Sequence, residues 1–318
     1  MTDASDSLSP SSYDLIPQPP SGFKSGFVGI IGRPNVGKST IMNQLVGQKI
    51  AITSPIAQTT RNRLRGILTT AEAQFIFVDT PGIHKPHHQL GKVLVENAKL
   101  AVRSVDVVLF VVDCATEAGG GDRYIAEFLS SSDLPVIIGL NKADLQPEEY
   151  NRLDRTYQEL ADARGWPVVK FSAKTTEGFE QLQATLRDRL EEGPYYYPPD
   201  LVTDQPERFI MGELIREQIL LLTREEVPHS VAVEIERVQE SDDITRVFAA
   251  INVERDSQKG ILIGKKGSML KTIGTAAREQ MQKLIMGQVY LELFVKVRSK
   301  WRQSPSRLSQ FGYKVSQD

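Results

Sequence analysis

Five short apolar runs punctuate the first two hundred residues, at 27–31, 75–79, 107–112, 136–140 and 168–171, and a more polar one lies at 64–70. Between them fall segments with helical spacing, at about 38–46, 90–102, 121–130, 147–164 and 178–191. Val107-Val108-Leu109-Phe110-Val111-Val112 has no polar face, as a strand covered on both sides requires. Alternation of such runs with helices predicts an α/β unit with a mostly parallel sheet. Its functional loops belong at the carboxyl ends of the strands.

The pattern breaks at Gly193-Pro194-Tyr195-Tyr196-Tyr197-Pro198-Pro199-Asp200, where prolines block helix continuation. Beyond it the sequence predicts a helix over Glu207–Leu222, alternating strands at about 230–239 and 244–254, and a short apolar run Ile261-Leu262-Ile263. A glycine-bounded turn Gly264-Lys265-Lys266-Gly267 follows, then a long helix to about Leu284 and a strand from Val289 to Val297. That order describes a smaller α+β layer. The chain therefore divides into an N-terminal extension 1–24, a first domain 25–193, a linker 194–206, a second domain 207–305 and a tail 306–318. The extension is rich in Ser, Pro and Asp and reads as disordered, with neither the apolar core of a secretory signal nor the arginines of a transit peptide. The linker tyrosines are expected to pack against a neighbour.

Composition changes this picture in three places. No apolar run approaches the roughly 20 residues needed to span a bilayer. The only cysteine is Cys114, which excludes an intrachain disulfide and reads as a small buried hydrophobe. The net charge of −2 hides an asymmetry: residues 204–258 carry 6 Lys/Arg against 13 Asp/Glu, and residues 259–318 carry 12 against 3. Such a split points to a partner of defined sign, or to a solvated charged face.

The chemistry is concentrated in a few loops. Gly32-Arg33-Pro34-Asn35-Val36-Gly37-Lys38-Ser39 fits G-x-x-x-x-G-K-[ST] and lies between a strand signal and a helix signal. Backbone N–H groups there can encircle an anion at a helix N-terminus. Lys38 is placed to reach the β and γ phosphates of a nucleotide, and Ser39 and Thr40 follow at the helix start. Asn141-Lys142-Ala143-Asp144 ends the fourth apolar run, where a ligand-facing loop belongs. An aspartate there can accept from guanine N1–H and its 2-amino group, whereas adenine would turn a lone pair toward it. A site built on such bonds rejects the analogue lacking them by ~10⁴-fold or more. Ser172-Ala173-Lys174 can close the other edge of the base. These features predict a GTP/GDP site.

Asp79-Thr80-Pro81-Gly82 ends another strand signal. Asp79 and Ser39 are candidate Mg²⁺ ligands, joined by a threonine of Gln58-Thr59-Thr60-Arg61, for which Thr60 is chosen over Thr59. The Gly82 N–H can meet the γ-phosphate. Segments 47–62 and 82–90 are expected to be ordered by GTP and released on hydrolysis. The next residue, Ile83, has no group with which to orient a water. Hydrolysis must then rely on backbone groups, a water network, the metal or a supplied partner; Lys38, Thr60 and Gly82 are the candidate catalytic residues, and Asn35 can help hold a monovalent cation such as K⁺ near the β/γ bridge. A loop-stabilising role for Asn35 is equally open. His84, His87 and His88 lack a completing ligand and read as a polar loop.

A G-x-x-G turn between an apolar run and a helix can clamp a nucleic-acid backbone, with Gly264 and Gly267 permitting close approach and Lys265 and Lys266 neutralising phosphates. Lys259, Lys271 and Arg278 extend the basic track; Arg298, Lys300, Trp301 and Arg302 offer further charge and a stacking ring. The element order predicts a KH (type II) domain that takes single-stranded RNA.

Taken together, these motifs resemble the TrmE-Era-EngA-like GTPases, and among them the Era family with its C-terminal KH domain. The likeness covers roughly residues 25–305. It implies a role in maturing the small ribosomal subunit (30S) and binding near the 3′ end of its ribosomal RNA. It also implies some peripheral association with the inner face of the cell membrane; a cytoplasmic location suits the composition and single cysteine, and a monomer is expected. A regulatory GTPase whose second domain binds protein or membrane is the alternative, and a degenerate G-x-x-G turn would favour it.

Overall fold

The computed structural model describes residues 16–56, 59–83, 96, 98, 100–146 and 151–313. The first module is a six-stranded sheet of β1 (Lys24–Gly32), β2 (Leu64–Thr69), β3 (Ala73–Asp79), β4 (Val107–Asp113), β5 (Val136–Asn141) and β6 (Val168–Lys170), in the order β2-β3-β1-β4-β5-β6. All neighbours run parallel except β2 and β3. Helices α1 (Lys38–Val46), α2 (Gly120–Ser130), α3 (Asn151–Asp162) and α4 (Phe179–Arg187) cover it. The central strands have buried residues on both faces, which is why they read as unbroken apolar runs. The helix expected over 90–102 falls largely outside the described residues, as do the three histidines and Gln58.

Register explains where the site must be. Ile30 pairs with Asp79, Gly32 with Val111, and Asp113 with Asn141. The ends of β3, β1, β4 and β5 therefore stand side by side. The chain leaves β1 toward opposite edges of the sheet, so the crevice opens beyond these ends.

The second module is a three-stranded sheet, β7 (Ala232–Glu240), β8 (Ile244–Val253) and β9 (Gln288–Val297), with β8 and β9 parallel. Helices α5 (Glu207–Leu222), α6 (Asp256–Ile263) and α7 (Ser268–Met281) pack on it. Here the structure corrects the sequence reading: Ile261-Leu262-Ile263 ends a helix, not an isolated apolar run. Gln258 explains it, because its Oε1 accepts the N–H groups of Glu254 at 2.9 Å and Arg255 at 3.1 Å and so caps the first turn. One apolar cluster runs continuously from beneath the first sheet into the second module.

Two further expectations change, for the extension and for Trp301, and the tail, for which none is stated, is ordered in its described part. The described part of the N-terminal extension is not all loose: Phe23 is buried and its ring lies 4.6 Å from that of Tyr195. The tail contains a helix, α8 (Pro305–Gln310), and Leu308 and Tyr313 pack with Trp301. Trp301 itself is fully buried, with its indole N–H donating to the Ser230 carbonyl at 2.9 Å, so it is not a ring free to stack on a base. Arg302 is taken up by Glu254. The linker, as read, packs on its neighbours: buried Gln74 donates to Tyr197 O at 2.9 Å, and the Ile67 N–H donates to Val202 O at 2.9 Å. That last bond covers part of the β2 edge. Trp301→Ala is expected to destabilise the protein by about 3–5 kcal/mol, read as a shift in the urea unfolding midpoint.

Candidate functional site

The loop between β1 and α1 curls tightly because two glycines let backbone through. Gly37 has φ 100°, and a Cβ there would run into the Asn141 amide. A Cβ on Gly82 would stand 2.6 Å from the backbone nitrogen of Pro34, so the loop after β3 can reach the phosphate loop only through glycine. A cleft at this point is lined by Pro34, Asn35, Gly37, Lys38, Ser39, Thr40, Thr59, Thr60 and Gly82.

Lys38 is buried, and its Nζ donates to Arg33 O at 2.9 Å and Gly32 O at 3.3 Å. Burial pushes its pKa down to about 8, opposed by the Asp79 carboxylate. Arg33 points the other way and donates from Nε to Asp122 Oδ1 at 2.7 Å. Val36 is buried, Thr80 donates to Ile30 O at 3.0 Å, and Pro81 packs inside. Ile83 is buried with its N–H on Gly32 O at 3.2 Å.

Three oxygens converge at the start of α1. Ser39 Oγ donates to Asp79 Oδ2 at 2.6 Å, Thr60 Oγ1 donates to the same atom at 3.0 Å, and the two hydroxyls lie 2.8 Å apart. Thr59 turns away, with its hydroxyl donating to Ile56 O at 2.6 Å. Asp79 is fully buried, and burial raises its pKa against the pull of Lys38. Its Oδ1 has no hydrogen-bond partner among the described residues. An orphaned buried carboxylate oxygen beside two hydroxyls suits a hard divalent cation, and Mg²⁺ fits this donor set.

The loop that ends β5 is built around Asn141. Its Nδ2 donates to Val36 O at 2.7 Å, and its Oδ1 accepts the Ala173 N–H at 2.9 Å. Asp144 Oδ1 accepts from the Ser172 hydroxyl at 2.7 Å, and Lys174 Nζ lies 3.9 Å from Asp144 Oδ2. Ala143 begins a short helical turn, with its N–H on Phe171 O at 3.2 Å. Lys142 adopts φ 70° and its ammonium pairs with Asp113 Oδ2 at 2.6 Å. Sequence reasoning missed Asp113 and Asp122; Asp113 is the last residue of β4, Asp122 lies in the first turn of α2, and each has a partner remote in sequence.

The second site is a groove of about 320 Å³ between α7 and β9, lined by Gly267, Leu270, Lys271, Gly274, Thr275, Arg278, Leu291, Glu292 and Leu293. Lys265 and Lys266 stand exposed at its head, where Gly264, Lys266 and Gly267 all have positive φ. Lys259 lies half-buried on α6, outside the groove lining. Lys265, Lys266, Lys271 and Arg278 form no ion pair with any described residue, whereas the acidic block finds partners in Lys49, Arg65 and Arg302. Part of the acidic block is thus used in internal pairs, while these four bases face solvent without one. Leu291, Leu293 and Gly274 were missed; the alternation along β9 and a glycine in mid-helix were the available signals.

A phosphate loop joined through one asparagine to a carboxylate loop belongs to the P-loop GTPases, and the groove behind a G-x-x-G turn belongs to KH modules, so the chain is a GTPase with a C-terminal KH domain. Residues 27–142 match the family model of the 50S ribosome-binding GTPases, and residues 226–302 that of the KH domain. The chain is 72% identical over 315 residues to GTPase Era of Rippkaea orientalis (strain PCC 8801 / RF-1), covering 99% of both. It is 73% identical over 302 residues to GTPase Era of Nostoc sp. (strain PCC 7120 / SAG 25.82 / UTEX 2576), covering 95% of this chain and 93% of that one. The crystal structure of Era in complex with MgGDPNP and nucleotides 1506–1542 of 16S ribosomal RNA superposes with a TM-score of 0.88 at 39% identity, over 92% of this chain and 99% of that one. The chain belongs to the GTPase Era family.

Asp144→Asn replaces one acceptor with a donor. Its GTP affinity is expected to fall roughly 100-fold or more, while xanthosine triphosphate, which carries a carbonyl at position 2, binds better than to the parent. Titration with fluorescent analogues of both nucleotides checks this.

Proposed function

We propose that this chain is a GTP-hydrolysing switch that clamps single-stranded RNA near the 3′ end of the small subunit's ribosomal RNA and assists assembly and maturation of the 30S subunit. The carrying observation is the groove behind an intact Gly264-Lys265-Lys266-Gly267 turn, lined by Lys271 and Arg278, which form no ion pair with any described residue although Glu292 shares the groove. The relative of known structure that holds a 16S fragment supports the small subunit as the partner, although the matching family description speaks of 50S binding. The intact turn also weighs against a second module devoted to protein or membrane.

In this reading the chain divides as 25–193, 194–206 and 207–305, and the packed tail through Tyr313 joins the second domain. Residues Gly32–Thr40, Asp79–Ile83, Asn141–Asp144 and Ser172–Lys174 hold the nucleotide. Ser39, Thr60 and Asp79 hold Mg²⁺, which neutralises phosphate charge when bound. Lys38, released from the loop carbonyls, moves its ammonium to the β/γ oxygens, and the Gly82 N–H meets the γ-phosphate. Ile83 is buried and apolar, so it cannot orient the attacking water. Asn35 compensates: it stands at the loop rim with φ 64°, its Nδ2 on Pro55 O at 2.8 Å, leaving its carbonyl oxygen to share K⁺ with the phosphates. In the same reading the chain works as a monomer in the cytoplasm, with peripheral attachment to the inner membrane face. Among the described residues no helix is long and apolar enough to cross a membrane.

Two measurements test this. The Lys265→Asp/Lys266→Asp double variant should lose binding to a short RNA matching the 16S 3′ end while hydrolysing GTP, and parent binding should weaken steeply with salt. Normal RNA binding by the variant removes the proposal. Phosphate release should be faster in K⁺ than in Na⁺, Asn35→Ala should erase that difference, and Lys38→Ala should abolish turnover. Equal rates in the two cations would dismiss the role given to Asn35.

A further inference from the structure

The segment from Lys49 to Arg61 carries Thr60, yet much of what fastens it lies in the other module. At its start, Lys49 pairs with Glu217 Oε2 at 2.6 Å, and the Thr53 N–H donates to Glu217 Oε1 at 2.9 Å. At its end, Arg216 donates from Nη2 to the Thr59 carbonyl while its guanidinium is gripped by Glu213. Arg61 enters the second module and donates to Val231 O at 2.6 Å and Pro228 O at 3.1 Å. Both neighbours of Thr60 in the chain are therefore bolted to α5 or to the turn before β7. The Thr60 hydroxyl itself stays at the Asp79–Ser39 cluster.

Arg61 and Arg216 are 2% and 1% exposed. A guanidinium this deep cannot exchange its carbonyl partners for water, so these bonds fix position more firmly than surface pairs do. We propose that Arg61 and Arg216 are positioning residues for GTP hydrolysis: the second module, by holding residues 59 and 61, sets whether the Thr60 hydroxyl is presented to the metal site. This rests on the assignment of Thr60 as a metal ligand made above. Helix α5 also packs against α7, which begins at the Gly264–Gly267 turn. A load on the groove therefore acts on the helix that carries Arg216, and coupling between the two sites is reciprocal.

The test uses the full chain and compares Thr60→Ala, Arg61→Gln, Arg216→Gln and the milder Glu217→Gln. Each is assayed for kcat at saturating GTP and for affinity toward GDP and a nonhydrolysable GTP analogue. Thr60 is called on only with a γ-phosphate present. Both arginine variants should thus lower kcat and weaken the analogue about 10-fold, the equivalent of one lost hydrogen bond, and leave GDP affinity as in the parent. Glu217→Gln should show the same split in smaller measure, and it carries the test if an arginine variant does not fold. An impaired Thr60→Ala beside Arg61, Arg216 and Glu217 variants that match the parent would overturn the inference and spare the metal site. A parallel loss of GDP affinity would also overturn it, as general damage. An unimpaired Thr60→Ala would remove the metal-site reading and this inference with it.

Discussion

One side-chain amide joins the loops that must meet the two ends of a nucleotide. Asn141 donates from Nδ2 to Val36 O in the phosphate loop, and its Oδ1 accepts from the Ala173 N–H in the loop after β6. Those loops arise from strands that are not neighbours, since β1 and β6 are separated by β4 and β5. Register brings the strand ends level, but register alone leaves the loops free to splay. With both halves of the amide used and the residue 2% exposed, the separation of phosphate cradle and base carboxylate becomes a fixed length. Gly37 is the other half of the same constraint, because any side chain there would displace the amide.

How much of this was readable from sequence follows from the range of the forces involved. Strands β3, β4 and β5, covered on both faces, write themselves as apolar runs, and α1 and α5 start and stop where periodicity places them. The phosphate loop and the Asn141–Asp144 loop were legible because each motif is continuous and its backbone does the work locally. Helix α6 was not legible, since its start depends on one glutamine side chain folding back on two amides. Trp301 was misread for a related reason. An aromatic amid basic residues looks like a stacking ring until the tail helix is seen to cover it.

The contacts between modules were entirely out of reach of sequence reading. Glu217, Arg216 and Arg61 look like ordinary charged residues, and Arg61 follows a motif that draws attention to its neighbours. Burial in the fold gives them their meaning: the partners lie more than 150 residues away and include backbone carbonyls, which carry no sequence signature. The acidic excess of residues 204–258 was visible as a number, but its cause was not. It is in part a set of carboxylates answering Lys49 and Arg65 of the first module.

That division of labour bears on how one chain can be both switch and clamp. A metal ligand held only by its own loop would respond to nucleotide alone. Thr60 is flanked by residues anchored in a second body, so its placement is shared between the phosphate end and α5. The apolar cluster common to both modules keeps that second body in place, and the buried guanidinium bonds convert its position into the position of a hydroxyl. Shifting α5 by the length of one hydrogen bond is enough to break the Arg216–Thr59 contact. No long chain of side chains is needed, because the helix that carries Arg216 also packs against the helix that opens the groove.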